Sequence, residues 1–449
     1  MRSRFIFATV CLLLAAWSSE ENKAAQNNRV AVLFEGARLI VGDGSAPIEN
    51  SAFLVEDNKF TRIGKKGGLQ APPGAVRLDL TGKTVIPALI DAHAHIGYMK
   101  DLTSGPENYT RENILDHLRR YAYHGVAAGM SMGTDWGDLP FQIRDESHPD
   151  TARFVTAGRG LAPPDEIRDM RHSAYRITSE VEARKAVQEL AARKVKLIKT
   201  WVDDRGGTVH KLTPQLYGAI IDEAHKHNVR VVAHATGLAD AKELVRAGLD
   251  GFAHMVDDVD DELVALLKGR PNVFFLLALG GPRRTIYAPW LTGPHPLVRE
   301  TVSPAQIKHL QDRLASGTPE ALDQSRRAWE RVTRNLPKLI AAGARIGLGT
   351  DGGGQTGDQF IGWTAHTEME NMVAAGMTPA QVIVAATRTS AEILGLDELG
   401  MVATGKSADF VVLDANPLDD ITNTRRIAKV YLRGKEVARS ALRAAWTGL

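Results

Sequence analysis

Short apolar runs recur along the chain, and the segments between them carry apolar residues at helical spacing. From residue 85 onward such runs fall at 85–95, 125–133, 153–157, 195–200, 229–234, 251–254, 273–278 and 345–350, which predicts eight strands. The intervening segment 179–194 places Val181, Ala183, Val187, Leu190 and Ala191 at largely helical spacing. Another helix is expected to open at Thr213-Pro214, with Thr213 as N-cap and Pro214 at the first helical position, and to run through Ile220, Ile221 and Ala224. Repeated strand–helix alternation favours a closed parallel (β/α)8 TIM barrel over an open sheet.

The two ends read differently. Residues 29–86 hold short strands around Val30-Ala31-Val32-Leu33-Phe34, Ala37-Arg38-Leu39-Ile40-Val41, Ala52-Phe53-Leu54-Val55 and Phe60-Thr61-Arg62-Ile63-Gly64, with Gly42-Asp43-Gly44 and Asp57-Asn58 as turns. A similar pattern returns within 400–440, at 408–414 and 430–435. The expected organisation is therefore a barrel over 87–399 and one small β-sandwich domain built from 29–86 and 400–440. The stretch 280–331 is longer than a normal connection, and insertions of that length are often lids or binding loops.

A basic start, Met1-Arg2-Ser3-Arg4, precedes an apolar run from Phe5 to Trp17. That run suits a signal-peptide core and falls short of the roughly 20 residues that span a bilayer. Residues 1–22 are read as a signal peptide, so the protein is expected to be exported, periplasmic or secreted, with no stable membrane association after cleavage. The lone cysteine, Cys11, lies inside this leader, leaving the mature chain without disulfide or thiol chemistry. With 24% charged residues spread along the chain and a net charge of +2, nucleic acid is not an expected partner. The partner expected is a small-molecule substrate, and a homo-oligomer is compatible with the sequence.

Six polar residues close these apolar runs: His93, His95, Lys199, His234, His254 and Asp351. Strand ends on one face of an α/β barrel are where such a fold places its chemistry. His93 and His95 are two apart, so on a strand both imidazoles reach one face. The same period groups Leu197 with Lys199, Val232 with His234, and Gly349 with Asp351. Imidazole and carboxylate suit a borderline divalent cation. An ammonium repels cations, but a lysine amine that loses its proton and takes up carbon dioxide becomes a carbamate with two donor oxygens.

The chain resembles the metal-dependent hydrolases of the amidohydrolase superfamily, in the imidazolonepropionase-like branch. The matching segments are Val85-Ile86-Pro87-Ala88-Leu89-Ile90-Asp91-Ala92-His93-Ala94-His95, Leu197-Ile198-Lys199, Val232-Ala233-His234-Ala235, Ala253-His254, Gly349-Thr350-Asp351 and the closing run from Gly405 to Pro417. Ala88 stands where glycine is usual, and Ala253-His254-Met255 lacks the acidic residue and glycine that often flank that histidine. The resemblance implies two divalent metal ions, zinc first among the candidates. His93, His95 and Asp351 would hold one, His234 and His254 the other, with a carbamate on Lys199 bridging them. Lys199 sets the chain apart from imidazolonepropionase itself, which resembles a single-metal enzyme, and aligns it with prolidase- and dipeptidase-like members.

The expected reaction is hydrolysis of an amide-type C–N bond by a metal-bridging hydroxide, with Asp351 as catalytic proton shuttle. Candidate substrates are dipeptides, N-acyl amino acids and urea- or carbamate-like compounds. Hydrolysis of an ester or lactone at the same centre competes with this reading, as does a secreted protein that binds without turnover. Tyr98, Trp201, Arg283 and Tyr287 fall in loops that could meet substrate, as do Arg159, His172, Arg284 and Trp290.

Overall fold

A computed structural model describes residues 31–164, 173–204, 207–281, 283, 295–354 and 359–447. The fold is mixed α/β. Its centre is parallel: Leu89–Ala94, Val126–Ser131 and Arg153–Thr156 form one sheet. A second runs in the order Ala174–Arg176, Gly160–Ala162, Leu197–Trp201, Arg230–His234, Gly251–Phe252, Phe274–Leu276, Arg345–Gly347. Backbone bonds continue from one sheet to the other at both margins. Gly160 N–H donates to Gly133 O (2.8 Å) on one side, and on the other Ala92 N–H donates to Leu348 O (2.8 Å).

Leu89–Ala94, Val126–Ser131 and Leu197–Trp201 are buried at every position, as parallel strands covered on both faces must be. The two faces sort by residue parity. Ile90, Ala92, Ala128, Met130, Leu197, Val232, Phe274 and Leu276 pack with one another. Ile198, Val231, Ala233, Phe252 and Phe275 pack instead with helix residues such as Val187, Leu190, Ile220 and Leu244.

The predicted helices form as Glu180–Ala192 and Pro214–Lys226. Ser179 caps the first through its side chain; Thr213 sits at the N-cap of the second without a side-chain bond. Gly160–Ala162 and Ala174–Arg176 are strands beyond the eight expected. The long insertion is helical over much of its described length, with Pro304–Ala315 opened by a Ser303–Gln306 capping box and Pro319–Ala341 capped by Thr318.

The run 85–95, expected as one strand, is two. Thr84–Pro87 pairs antiparallel with Phe410–Leu413, and Leu89–Ala94 enters the centre. Pro87 has no N–H to donate, and the next residue, Ala88, gives its own to Asp409 O (3.0 Å). Thr84–Pro87 therefore belongs to a five-stranded sheet with Arg38–Leu39, Phe410–Leu413, Ile427–Leu432 and Lys435–Glu436. A four-stranded sheet of Lys59–Lys65, Ser51–Glu56, Val32–Glu35 and Val76–Asp79 faces it. The two share an aromatic core: Phe34 stacks on Phe53 (4.9 Å between centroids), Phe410 on Tyr431 (4.6 Å), and Phe34 meets Phe410 edge-on (5.1 Å). Among the described residues no helix is long and apolar enough to cross a membrane. Residues 1–22, expected to be a leader, lie outside the described residues.

Candidate metal centre

Three of the predicted ligands sit where the first and last central strands meet. His93 lies in Leu89–Ala94 and His95 just beyond it. Asp351 follows Arg345–Gly347 and is tied across by its N–H to His93 O (2.8 Å). Asp91 braces the junction: its buried carboxylate accepts from His93 N (3.2 Å), Thr350 N (3.2 Å), Thr350 Oγ1 (2.6 Å) and Tyr121 OH (2.7 Å). Burial raises its pKa to about 6 despite those bonds. Asp351 takes a left-handed backbone, φ +57°. That conformation is uncommon outside glycine and turns its side chain back toward the histidines. Gly353 leaves the room this needs, since a Cβ there would stand 2.6 Å from His95 O at φ +76°.

His95 Nε2 lies 2.8 Å and His93 Nε2 3.3 Å from Asp351 Oδ1. One ligand atom each from His93, His254 and Asp351 falls within 4.8 Å of the others. His234 and His254 are ring neighbours, 4.3 Å between centroids, and His93 is 5.1 Å from His254. His234 closes its strand, Arg230–His234, as expected; His254 lies two residues past a strand of only two residues, Gly251–Phe252. Lys199 is buried, and its ammonium field helps lower the pKa of both His93 and His254, after burial itself. Its Nζ stands 5.4 Å from the Trp201 ring centroid. Gly133 gives Lys199 its space: a Cβ there would lie 2.7 Å from Lys199 Cγ.

The donor set fits a divalent cation on one observation above all. Both ring nitrogens of His93 are buried with no hydrogen-bond partner among the described residues. A buried polar atom without a partner costs about 1–3 kcal/mol, and coordination would satisfy one. Burial, joined by the Lys199 ammonium at His93 and by the neighbouring His234 at His254, pushes both well below the ordinary histidine pKa, leaving them neutral and able to donate lone pairs. Burial alone would raise Asp351, but the His95 hydrogen bond and the neighbouring imidazoles hold its carboxyl well below the usual range. Five of the six predicted ligands lie at or just past the ends of central strands; Lys199 sits mid-strand in Leu197–Trp201, in register with Val232.

Four contacts escaped the sequence. His95 Nδ1 meets Thr134 Oγ1 at 3.0 Å, and Tyr109 OH donates to the same oxygen (3.1 Å). Gln359 Nε2 donates to Asp351 Oδ2 (3.0 Å). His234 Nε2 lies 3.1 Å from Asp203 Oδ2. For Asp203 a signal existed, because it continues the alternation Lys199, Trp201, Asp203. Nothing local marks Gln359, eight residues after Asp351.

The candidate substrate residues have mixed placements. Tyr98 is buried against Tyr109, 6.2 Å between centroids, and Trp201 is buried under Lys199. Arg283 donates to Asn371 Oδ1 (2.8 Å) and stacks over Trp329. Arg159 stacks on Tyr175 (4.3 Å) and Trp136 (5.5 Å). His172, Arg284, Tyr287 and Trp290 lie outside the described residues.

The sequence pattern described as the Amidohydrolase family matches residues 84–437. Over 193 residues the chain is 31% identical to an uncharacterized protein of Mycobacterium tuberculosis, a match that spans 42% of this chain and 49% of that protein. It is 24% identical to the ochratoxinase of Aspergillus niger over 91% of this chain and 86% of that one. Among solved structures, a Xaa-Pro dipeptidase with methionine in its active site superposes with a TM-score of 0.70 at 21% identity, covering 90% of this chain and 99% of the other.

Proposed function

The chain belongs to the amidohydrolase family, hydrolases of C–N bonds, and from that premise we propose that it is a binuclear metallohydrolase of small acyl compounds. The substrate class we favour is dipeptides and N-acyl amino acids, with urea- and carbamate-like compounds next. The observation that carries the reading is the buried His93 ring, with neither nitrogen hydrogen-bonded among the described residues, set among His95, His254 and Asp351.

His93, His95 and Asp351 would hold one divalent ion, His234 and His254 a second, and a carbamate on Lys199 would join them. Zinc suits this donor set. Carbamate formation needs a neutral Lys199 amine: a bond forms from Nζ to the carbon of carbon dioxide and one proton is released. The bound ions would supply Lewis acidity to the scissile carbonyl and lower the pKa of a water toward neutrality.

The remaining work falls to the chain. Asp351, ionised and fixed by His95 and Gln359, is placed to take the proton that water gives up as its oxygen adds to the carbonyl carbon. It then delivers that proton to the leaving nitrogen, so the C–N bond breaks to a carboxylic acid and an amine rather than an amide anion. Thr134 holds His95 through Nδ1 and keeps Nε2 directed at Asp351.

The same reading makes the central strands a closed (β/α)8 barrel, supported by the Ala92–Leu348 and Gly160–Gly133 bonds that join its margins. Barrel and β-sandwich would be separate domains meeting at Ala88, with residues 1–22 a leader for export. Recovering protein from the periplasm or medium with its N-terminus beyond residue 22 tests the last point.

Purified protein loaded with zinc should hydrolyse members of a panel of dipeptides, N-acyl amino acids and ureas, and lose activity to a chelator. Turnover of esters or lactones alone would move the function to the ester class. Asp351→Asn should keep at least one metal equivalent while kcat falls by a factor of about 10²–10⁴, the usual worth of a proton-transfer group. Ordinary kcat in that variant would refute the shuttle.

A further inference from the structure

Asp203 has no place in the ligand set, yet its carboxylate is the group that His234 faces. The Leu197–Trp201 strand delivers it: alternation puts Asp203 on the side of Lys199 and Trp201, two residues past the strand end. Val202 fixes the spot, since its N–H donates to His234 O (2.8 Å), tying the Asp203 backbone to that of His234. Across this tie Asp203 Oδ2 stands 3.1 Å from His234 Nε2, and both side chains are largely shielded from solvent.

An imidazole cannot use one nitrogen both as a proton donor to a carboxylate and as a lone-pair donor to a cation. A carboxylate outside the ligand set at Nε2 stabilises the tautomer with the proton there, which leaves the lone pair on Nδ1; Asp351 beside His95 Nε2 differs, because it would hold the same ion as His95. We infer that Asp203 is a positioning residue that holds the His234 ring through Nε2 and so selects its Nδ1 lone pair as the metal ligand. This rests on the binuclear reading above. It reassigns His234 from a strand-end histidine with two equivalent nitrogens to one with a single committed donor.

The asymmetry between the two ions follows. His95 is oriented by a neutral hydroxyl, Thr134 Oγ1, whereas His234 is oriented by a charged carboxylate. Loss of Asp203 should therefore weaken the ion held by His234 and His254 and spare the one held by His93, His95 and Asp351.

The test is zinc titration of the full chain by equilibrium dialysis with elemental analysis, alongside thermal unfolding. Wild type should bind two equivalents. Asp203→Ala should bind the first as wild type does and the second 10–100-fold more weakly, the usual cost of losing such a partner. Asp203→Asn, which keeps an oxygen to accept from Nε2–H, should recover most of that loss. A general structural fault would weaken both equivalents and would not be rescued by Asn. Asp203→Ala with two undiminished equivalents, or with both weakened equally, overturns the inference. If wild type binds fewer than two equivalents, the binuclear reading fails instead, and the two failures are told apart by the wild-type titration alone.

Discussion

Replacing Gly133 by alanine tests the Lys199 placement without touching a ligand. At φ +87° an alanine enters the left-handed region, costing about 1–2 kcal/mol. Its Cβ would also stand 2.7 Å from Lys199 Cγ, 2.8 Å from Lys199 Cβ and 3.1 Å from a ring carbon of Trp201. Carbon atoms sit about 3.5–4.0 Å apart at contact, so the lysine must retreat by about 1 Å. Overpacking of that kind adds about 1–3 kcal/mol, giving about 2–5 kcal/mol in all. Gly137 supplies the control: φ is +68° but nothing lies within 4 Å of a Cβ there, so alanine should cost the backbone term alone, about 1–2 kcal/mol. Urea unfolding should rank the two variants in that order. Metal analysis should find the second zinc equivalent weakened in Gly133→Ala and intact in Gly137→Ala. Two undiminished equivalents in a folded Gly133→Ala protein, or equal destabilisation of both variants, would refute the assignment of Lys199 to the metal-bridging position.

Two further outcomes rest on buried groups away from the ions. Asp91→Ala strands four donors and should destabilise the fold by about 3–5 kcal/mol, whereas Asp91→Asn, which retains an acceptor for the two backbone N–H groups, should cost no more than about 2 kcal/mol; urea unfolding of both measures the difference, and equal losses would show that Asp91 is not the brace. His117 is buried, its Nδ1 accepting from Gly97 N–H (3.0 Å), and burial first, then Arg120, lower its pKa from 6.5 to about 4. The unfolded chain binds this proton more readily, so the stability His117 contributes is full above pH 6.5 and is lost as pH falls toward 4. That loss amounts to about 3 kcal/mol, and His117→Asn, which keeps an acceptor, should flatten the stability profile by that amount over the same window; an unchanged slope would exclude His117 as its source.

Much of the fold was legible because burial on both faces leaves a strong mark. Leu89–Ala94, Val126–Ser131 and Leu197–Trp201 read as near-continuous apolar runs, and each is a strand. Boundaries set by single backbone groups were less visible. The break at Ala88 depends on a proline that cannot donate and on a partner, Asp409, that lies more than three hundred residues away. The insertion 280–331 read as a loop by length alone, although Ser303 with Gln306 and Thr318 with Pro319 are ordinary helix starts. Most ligand candidates were legible because they close or follow strands, with Lys199 mid-strand on the same alternation; Asp203 shared that alternation but no ligand role, and Thr134 and Gln359 left no local signal.

The junction of first and last strands joins folding and chemistry in one set of contacts. His93 and His95 come from one side and Asp351 from the other, separated by more than two hundred and fifty residues. Asp91 binds the His93 backbone N–H and the Thr350 backbone and hydroxyl together, so the pairing of these strands and the convergence of three ligands are a single event. Each device at this junction is costly on its own: a buried carboxylate pushed up to about pKa 6, a left-handed aspartate, and an imidazole with neither nitrogen hydrogen-bonded. Nothing in packing requires all three in one place. A cation held by these side chains would satisfy a His93 nitrogen and neutralise Asp351, so the unfavourable features make sense as one arrangement, in which the local instability of the protein is the complement of the ion it would hold.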